Sequence, residues 1–130
     1  MERGVCYMGK YVNPDNKAFA IIASDESYVD KTGLIEFTNN RIGRIRPLIC
    51  FSRPRRFGKS IAAHMLTAYY SKGCDSREIF SNLKIAGLPM FENELNRNTV
   101  IFLDVQWLKN VALEQAVFGL SVLGRRRKCC

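Results

Sequence analysis

Apolar positions fall along this chain in two patterns. Two short unbroken runs, Leu48-Ile49-Cys50-Phe51 and Thr99-Val100-Ile101-Phe102-Leu103, predict buried strands of the kind parallel sheets use. Elsewhere the apolar residues recur at helical spacing. Ile61 to Tyr70, rich in alanine, predicts the principal helix, and Lys72-Gly73 supplies a glycine stop behind it. Phe19 to Ala23 predicts a short helix after the turn at Asn13-Pro14-Asp15-Asn16. A second runs through Leu34, Ile35 and Phe37 to Thr38, with Asp30 placed to cap it. Asp75 and Glu78 form a capping-box start for a helix carrying Ile79 and Phe80, and Phe91 to Leu95 predicts one more helical turn. Gln106 to Leu123 reads as an amphipathic helix whose end is weakened by Gly119 and Gly124.

Between the first predicted strand and the principal helix lies the stretch that carries chemistry. Ser52 to Phe57 is basic and contains Pro54, so neither helix nor sheet continues through it, and Gly58-Lys59-Ser60 leads directly into the helix. Strand, loop, Gly-Lys-Ser, helix is the layout of a phosphate-binding loop. A helix start leaves backbone N–H groups without partners and carries partial positive charge, so it attracts anions. Gly58 lets the backbone approach a phosphate, Lys59 would place its ammonium on the terminal phosphates, and the Ser60 hydroxyl would ligate a nucleotide-bound magnesium ion. The match to G-x-x-x-x-G-K-[ST] departs at one place, where Arg53 stands for the first glycine. The competing reading makes Gly58 an ordinary turn and Lys59 a solvated helix-start residue.

The segment Ser52-Arg53-Pro54-Arg55-Arg56-Phe57-Gly58-Lys59-Ser60, together with Tyr28-Val29-Asp30-Lys31-Thr32 and Leu34-Ile35, resembles the AAA-ATPase-like family of bacteria and archaea, from about Met8 to Asp104. In that family an arginine at the place of the first glycine is part of the pattern, and the ATPase domain precedes a PD-(D/E)XK nuclease-like domain. The resemblance implies an α/β fold: the N-terminal part of an AAA-like P-loop NTPase core, with an incomplete parallel sheet and helices. It implies ATP and Mg2+ as ligands, held by Ser52, Arg53, Arg55, Arg56, Phe57, Gly58, Lys59 and Ser60, with Ser60 on the metal. Asp30 and Lys31 are secondary members of that set, because their motif recurs beside the loop in the family; on sequence physics alone, Asp30 is a helix cap and Lys31 a solvated lysine. Full-length relatives could act as homo-oligomers. Asp104 has the form of a Walker B acid but is read as the end of the second strand, since the family's acidic motif resembles Asp-Glu-Tyr-Asp and lies further downstream. The expectation is therefore a partial ATPase-like domain over residues 1–104 and a divergent helical segment with a basic Cys-Cys tail over 105–130. Such a truncated piece would bind nucleotide weakly at best, would not hydrolyse it alone, and would be marginal or unfolded by itself.

Composition narrows the alternatives. The 130 residues allow one small domain, and the formal net charge of +8 looks like a nucleic-acid signature until it is located. Arg53, Arg55, Arg56 and Lys59 in the loop, with Arg125, Arg126, Arg127 and Lys128 in the tail, account for eight of 20 basic residues, leaving twelve against 12 acidic. Nucleic acid is thus a partner the charges permit without requiring; a basic nucleic-acid module and a non-functional fragment are the rival readings. Arg41, Arg44 and Arg46 read as a solvated linker into the first strand. Five cysteines without a C-x-x-C pair make a poor disulfide framework and a poor zinc site, which points to a reducing, cytoplasmic setting. No run reaches membrane-spanning length, and the tail reads as an out-of-frame or prematurely ended reading frame in preference to a lipid anchor. His64, the lone histidine, is read as a packed helix residue without a catalytic role.

Overall fold

A computed structural model describes residues 11–104 and the backbone of the strand at 120–123. The leading extension, Cys6, the upstream part of the predicted 106–123 helix and the basic tail lie outside the described residues. In chain order the elements are α1 (Lys17–Ala23), α2 (Gly33–Asn39), α3 (Lys59–Tyr70), α4 (Arg77–Phe80), a 3₁₀ helix (Lys84–Gly87), α5 (Phe91–Glu94), β1 (Thr99–Phe102) and β2 (Leu120–Leu123). Helix dominates and strand is scarce, in keeping with a mixed α/β class.

Helix α3 is the centre of the core. Its Ala62, Ala63, Met65, Ala68, Tyr69 and Tyr70 are buried, the small side chains letting neighbours approach and the two tyrosines filling the space beyond. Phe19 of α1, Ile35 of α2, Phe80 of α4, Ile85 of the 3₁₀ helix, Phe91, Leu95 and Val100 close around them. Phe19 stacks on Phe80 with ring centroids 5.1 Å apart, and Tyr69 meets Phe80 edge-on at 5.6 Å. Each such aromatic contact adds about 1 kcal/mol beyond the area it buries. His64 stacks on Phe102, as a packed helix residue should.

Buried hydroxyls lock α2 onto α3. The Tyr70 hydroxyl bonds Thr38 Oγ1 at 2.6 Å and donates to Asn39 Oδ1, while Asn39 Nδ2 donates to the Tyr69 hydroxyl, which donates to the Phe91 carbonyl at 2.7 Å. Every one of these hydroxyls is partnered, which removes the penalty of burying it. Burial pushes the Tyr70 phenol far above its ordinary pKa, so it stays protonated and able to donate.

The C-terminal end of α3 is closed by a distant segment. The helix stops at Tyr70 because Ser71 turns extended, and Gly73, at φ 91°, shapes only the turn beyond. The predicted glycine stop is thus replaced by three polar residues. Asn96 N–H donates to the Tyr69 carbonyl at 2.7 Å, Asn96 Nδ2 to the Ala68 and Ser71 carbonyls at 3.0 and 2.9 Å, and Asn98 N–H to the Tyr70 carbonyl at 2.9 Å. Ser76 Oγ adds a bond to the Ala68 carbonyl at 2.7 Å. Asn96 reaches these atoms from a left-handed backbone, φ 52°, a conformation asparagine tolerates better than most residues.

The sheet differs from the predicted one. β1 is antiparallel to β2, with Thr99 opposite Leu123 and Phe102 opposite Leu120. On its other edge β1 takes the 11–13 segment, also antiparallel: Val12 bridges Ile101, Asn13 N–H donates to the Val100 carbonyl and Phe102 N–H to the Tyr11 carbonyl, both at 2.8 Å. The expected parallel arrangement is therefore not formed by the described residues, and Leu120–Leu123 is strand where a helix end was predicted. The predicted strand Leu48–Phe51 is likewise irregular and exposed, Leu48 to 91% and Cys50 with it. Both edges of β1 are already taken, so the 48–51 backbone finds no ladder there, and an extended segment without a partner strand does not bury itself.

Asn96→Ala should lower stability by about 2–4 kcal/mol, combining left-handed backbone strain with carbonyls left unpaired at the end of α3. Asn96→Gly, free of the strain, should lose less. Urea unfolding of the two variants against the parent checks the difference.

Candidate functional site

The basic loop runs exposed from Ser52 to Phe57 and enters α3 through Gly58. Gly58 is the residue before the helix and sits in the left-handed region at φ 78°, ψ 26°. Arg56, two residues earlier, is also left-handed, at φ 66°. These two reversals turn the chain sharply into the helix axis. The first ladder bond of α3 is Ala62 N–H to the Gly58 carbonyl at 2.9 Å, and no side chain caps the helix start. The Lys59, Ser60 and Ile61 amides precede that ladder and are the donors an anion would use. Lys59 and Ser60 are both exposed at this end.

Lys31 is brought to the same place from the connection between α1 and α2. Its Nζ donates to the Phe57 carbonyl at 3.3 Å, and a Cβ built on Gly58 would run into it. Gly58 lacks a side chain chiefly because of its left-handed backbone; the lysine tip above it is the end of a flexible chain and could move aside.

Asp30 is turned to a different task. Oδ1 accepts the Thr32 N–H at 2.8 Å and the Thr32 hydroxyl at 2.6 Å, and Oδ2 accepts the Lys84 N–H at 2.8 Å. Thr32 Oγ1 in turn accepts the Ile85 N–H at 3.2 Å. Asp30 therefore ties the entrance of α2 to the start of the 3₁₀ helix, while the residue immediately before α2 is Thr32, without a side-chain cap. Burial on its own would raise the Asp30 carboxyl. The hydrogen bonds from the Thr32 hydroxyl, the Lys84 N–H and the Thr32 N–H, with the Lys84 charge, outweigh it and hold the group below its ordinary value.

The arginines surround the loop without joining it into a closed pocket. Arg53 lies over the Phe51 ring at 5.7 Å and Arg41 over Phe37 at 4.5 Å, while Arg55 and Arg56 are exposed. A shallow, open depression of about 400 Å³ lies on the preceding basic loop, lined by Asn40, Arg41, Arg44, Ile45 and Arg46. Asp104 is exposed two residues beyond β1. Among the described residues no cluster of three or more histidine, cysteine or acidic side chains is arranged for a metal, and no helix is long and apolar enough to cross a membrane. Sequence reasoning placed Lys31 near the loop but missed Thr32, Lys84 and Ile85 as its anchors, because the bonds are to backbone amides about 53 residues away.

These features define an α/β domain in which a basic loop feeds an uncapped helix. The family model described as Predicted AAA-ATPase matches residues 17–121, most of the chain, and the chain belongs to this AAA-ATPase-like family. The match runs from the start of α1 into the first half of β2, passing the Asp104 boundary at which the sequence resemblance ended. No curated protein and no solved structure matches.

Because the Asp30 pKa is lowered on folding, the unfolded chain takes up this proton more readily than the folded one. The contribution of Asp30 is fully present above its unfolded value of about 4 and is lost as pH falls through the lower folded value. Asp30→Asn should therefore flatten the acid limb of stability, read as a smaller loss between about pH 5 and pH 2 in urea unfolding.

Proposed function

We propose that this domain binds ATP with magnesium at the start of α3, as an ATPase-like phosphate-binding loop. The observation that carries the reading is the asymmetry of α3. Its last carbonyls are closed by Asn96, Asn98 and Ser76, whereas its first amides have no side-chain cap and open into a basic loop at a left-handed glycine. Membership of a family described as predicted ATPases supports the same assignment.

In this reading the amides at Lys59, Ser60 and Ile61 face the phosphates, and Lys59 neutralises their charge. Arg53, Arg55 and Arg56 raise the local potential from the exposed loop, with Ser52 and Phe57 forming its two ends. Magnesium would be held by the Ser60 hydroxyl together with nucleotide oxygens and water, a donor set this hard cation accepts, and when bound it would screen phosphate charge. Asp30, its oxygens occupied by Thr32 and Lys84, supports the site without facing the metal.

A second reading keeps the same cations for a nucleic-acid backbone. No acidic residue occurs between Glu36 and Asp75, and Arg41, Arg44, Arg46, Arg53, Arg55, Arg56 and Lys59 are all exposed along that stretch. None of these seven is paired with a carboxylate among the described residues. Counterion release would then dominate affinity.

A thermal melt with and without Mg-ATP tests the first reading. ATP at about a hundred times its Kd should stabilise the parent by about 2.7 kcal/mol, a rise of several degrees, and Lys59→Ala should abolish the rise. Equal melts with and without ATP in the parent would reject it. For the second reading, binding of an oligonucleotide should weaken steeply with salt and survive Lys59→Ala; a flat salt response rejects it.

A further inference from the structure

Lys31 is fixed at its root and loose at its tip. The residues on both sides of it, Asp30 and Thr32, are bonded to the Lys84 and Ile85 amides, and Thr32 is fully buried. Only the four-carbon stem is left to swing. The tip has a modest partner: three ammonium donors meet one carbonyl, that of Phe57, at 3.3 Å. A neutral carbonyl is a weaker acceptor for an ammonium than an anionic oxygen. No carboxylate among the described residues takes its place, since the adjacent Asp30 is engaged by Thr32 and Lys84. The ammonium also occupies the space that the missing side chain of Gly58 leaves open, at the mouth of α3.

Resting on the reading of this loop as a nucleotide site, we propose that Lys31 is a second phosphate-binding cation, delivered from outside the loop and aimed by the Asp30–Thr32 tie to the 3₁₀ helix. On nucleotide binding its ammonium exchanges the Phe57 carbonyl for a phosphate oxygen. Lys59 enters the site from the helix, Lys31 from above Gly58, and the two charges bracket the phosphates. Asp30 is then a positioning residue: it acts through Lys31 and touches no ligand. The 3₁₀ helix becomes part of the site's support, because releasing Lys84 or Ile85 frees the root of Lys31.

The test is Mg-ATP titration of the full chain by calorimetry, with the parent, Lys59→Ala, Lys31→Gln, Asp30→Asn and the Asp30→Asn/Lys31→Gln double variant. Lys31→Gln should weaken binding about tenfold or more, the size of one lost charge-assisted hydrogen bond. Asp30→Asn should weaken it several-fold, and the double variant should bind no more weakly than Lys31→Gln alone, since both changes remove one device. Circular dichroism melts identify any variant that fails to fold, and Lys31→Gln, which removes no buried group, should melt as the parent does. Parental affinity in a folded Lys31→Gln, alongside loss in Lys59→Ala, overturns this role and leaves the nucleotide site standing. Additive losses in the double variant overturn the positioning role of Asp30. Absence of binding by the folded parent overturns the nucleotide reading, and this proposal with it.

Discussion

The arrangement depends on how the two ends of α3 are treated. A helix of 12 residues leaves unpaired amides at one end and unpaired carbonyls at the other, with partial charges to match. Here the carbonyl end is closed by the side chain and backbone of Asn96 and the backbone N–H of Asn98, together with Ser76. That closure also brings Asn98 beside Ser71 and leads directly into β1, so one set of bonds ends the helix and starts the strand. With one end fixed to the core, the amide end is held at the surface, facing the basic loop.

The core beneath α3 explains why Lys31 arrives where it does. Tyr70, Thr38 and Asn39 join the end of α2 to α3, and Asp30 and Thr32 join its beginning to the 3₁₀ helix. α2 is thereby held at both ends by polar bonds, which are directional and, where buried as at Tyr70–Thr38 and Thr32–Ile85, costly to break unpaired. A lysine just before such a helix has a fixed origin. Its reach to the Phe57 carbonyl and Gly58 follows from where α2 is anchored.

Electrostatics act in the same direction. Stretches without acidic residues repel themselves, and the run from Arg41 to Lys59 stays exposed and irregular, with guanidinium groups resting on the Phe37 and Phe51 rings. The nucleotide proposed for the uncapped start of α3 would supply negative charge here, in keeping with membership of a family described as predicted ATPases.

The helices were legible because their signals are local. Phe19 to Ala23, Ile61 to Tyr70 and Phe91 to Leu95 carry helical spacing and form helix within a residue or two, and Gly58 announces the left-handed entry that Lys59 and Ser60 follow. The 99–102 run also formed a strand, since β-branched residues favour extension. Strand partners were not legible. Leu48–Phe51 has the same apolar character yet stays exposed, because a strand exists only when another offers its edge, and β1 gives its edges to β2 and to residues 11–13. The end of α3 was misread for a related reason: Gly73 is a local signal, but Asn96, 25 residues from Ser71, outbids it with several bonds. Sequence determined most of the segments that coil and the Gly58-Lys59-Ser60 entry into α3; only the tertiary structure decided which distant amides Asp30 would hold and hence where Lys31 would point, since hydrogen bonds between remote segments leave no periodic trace in the chain.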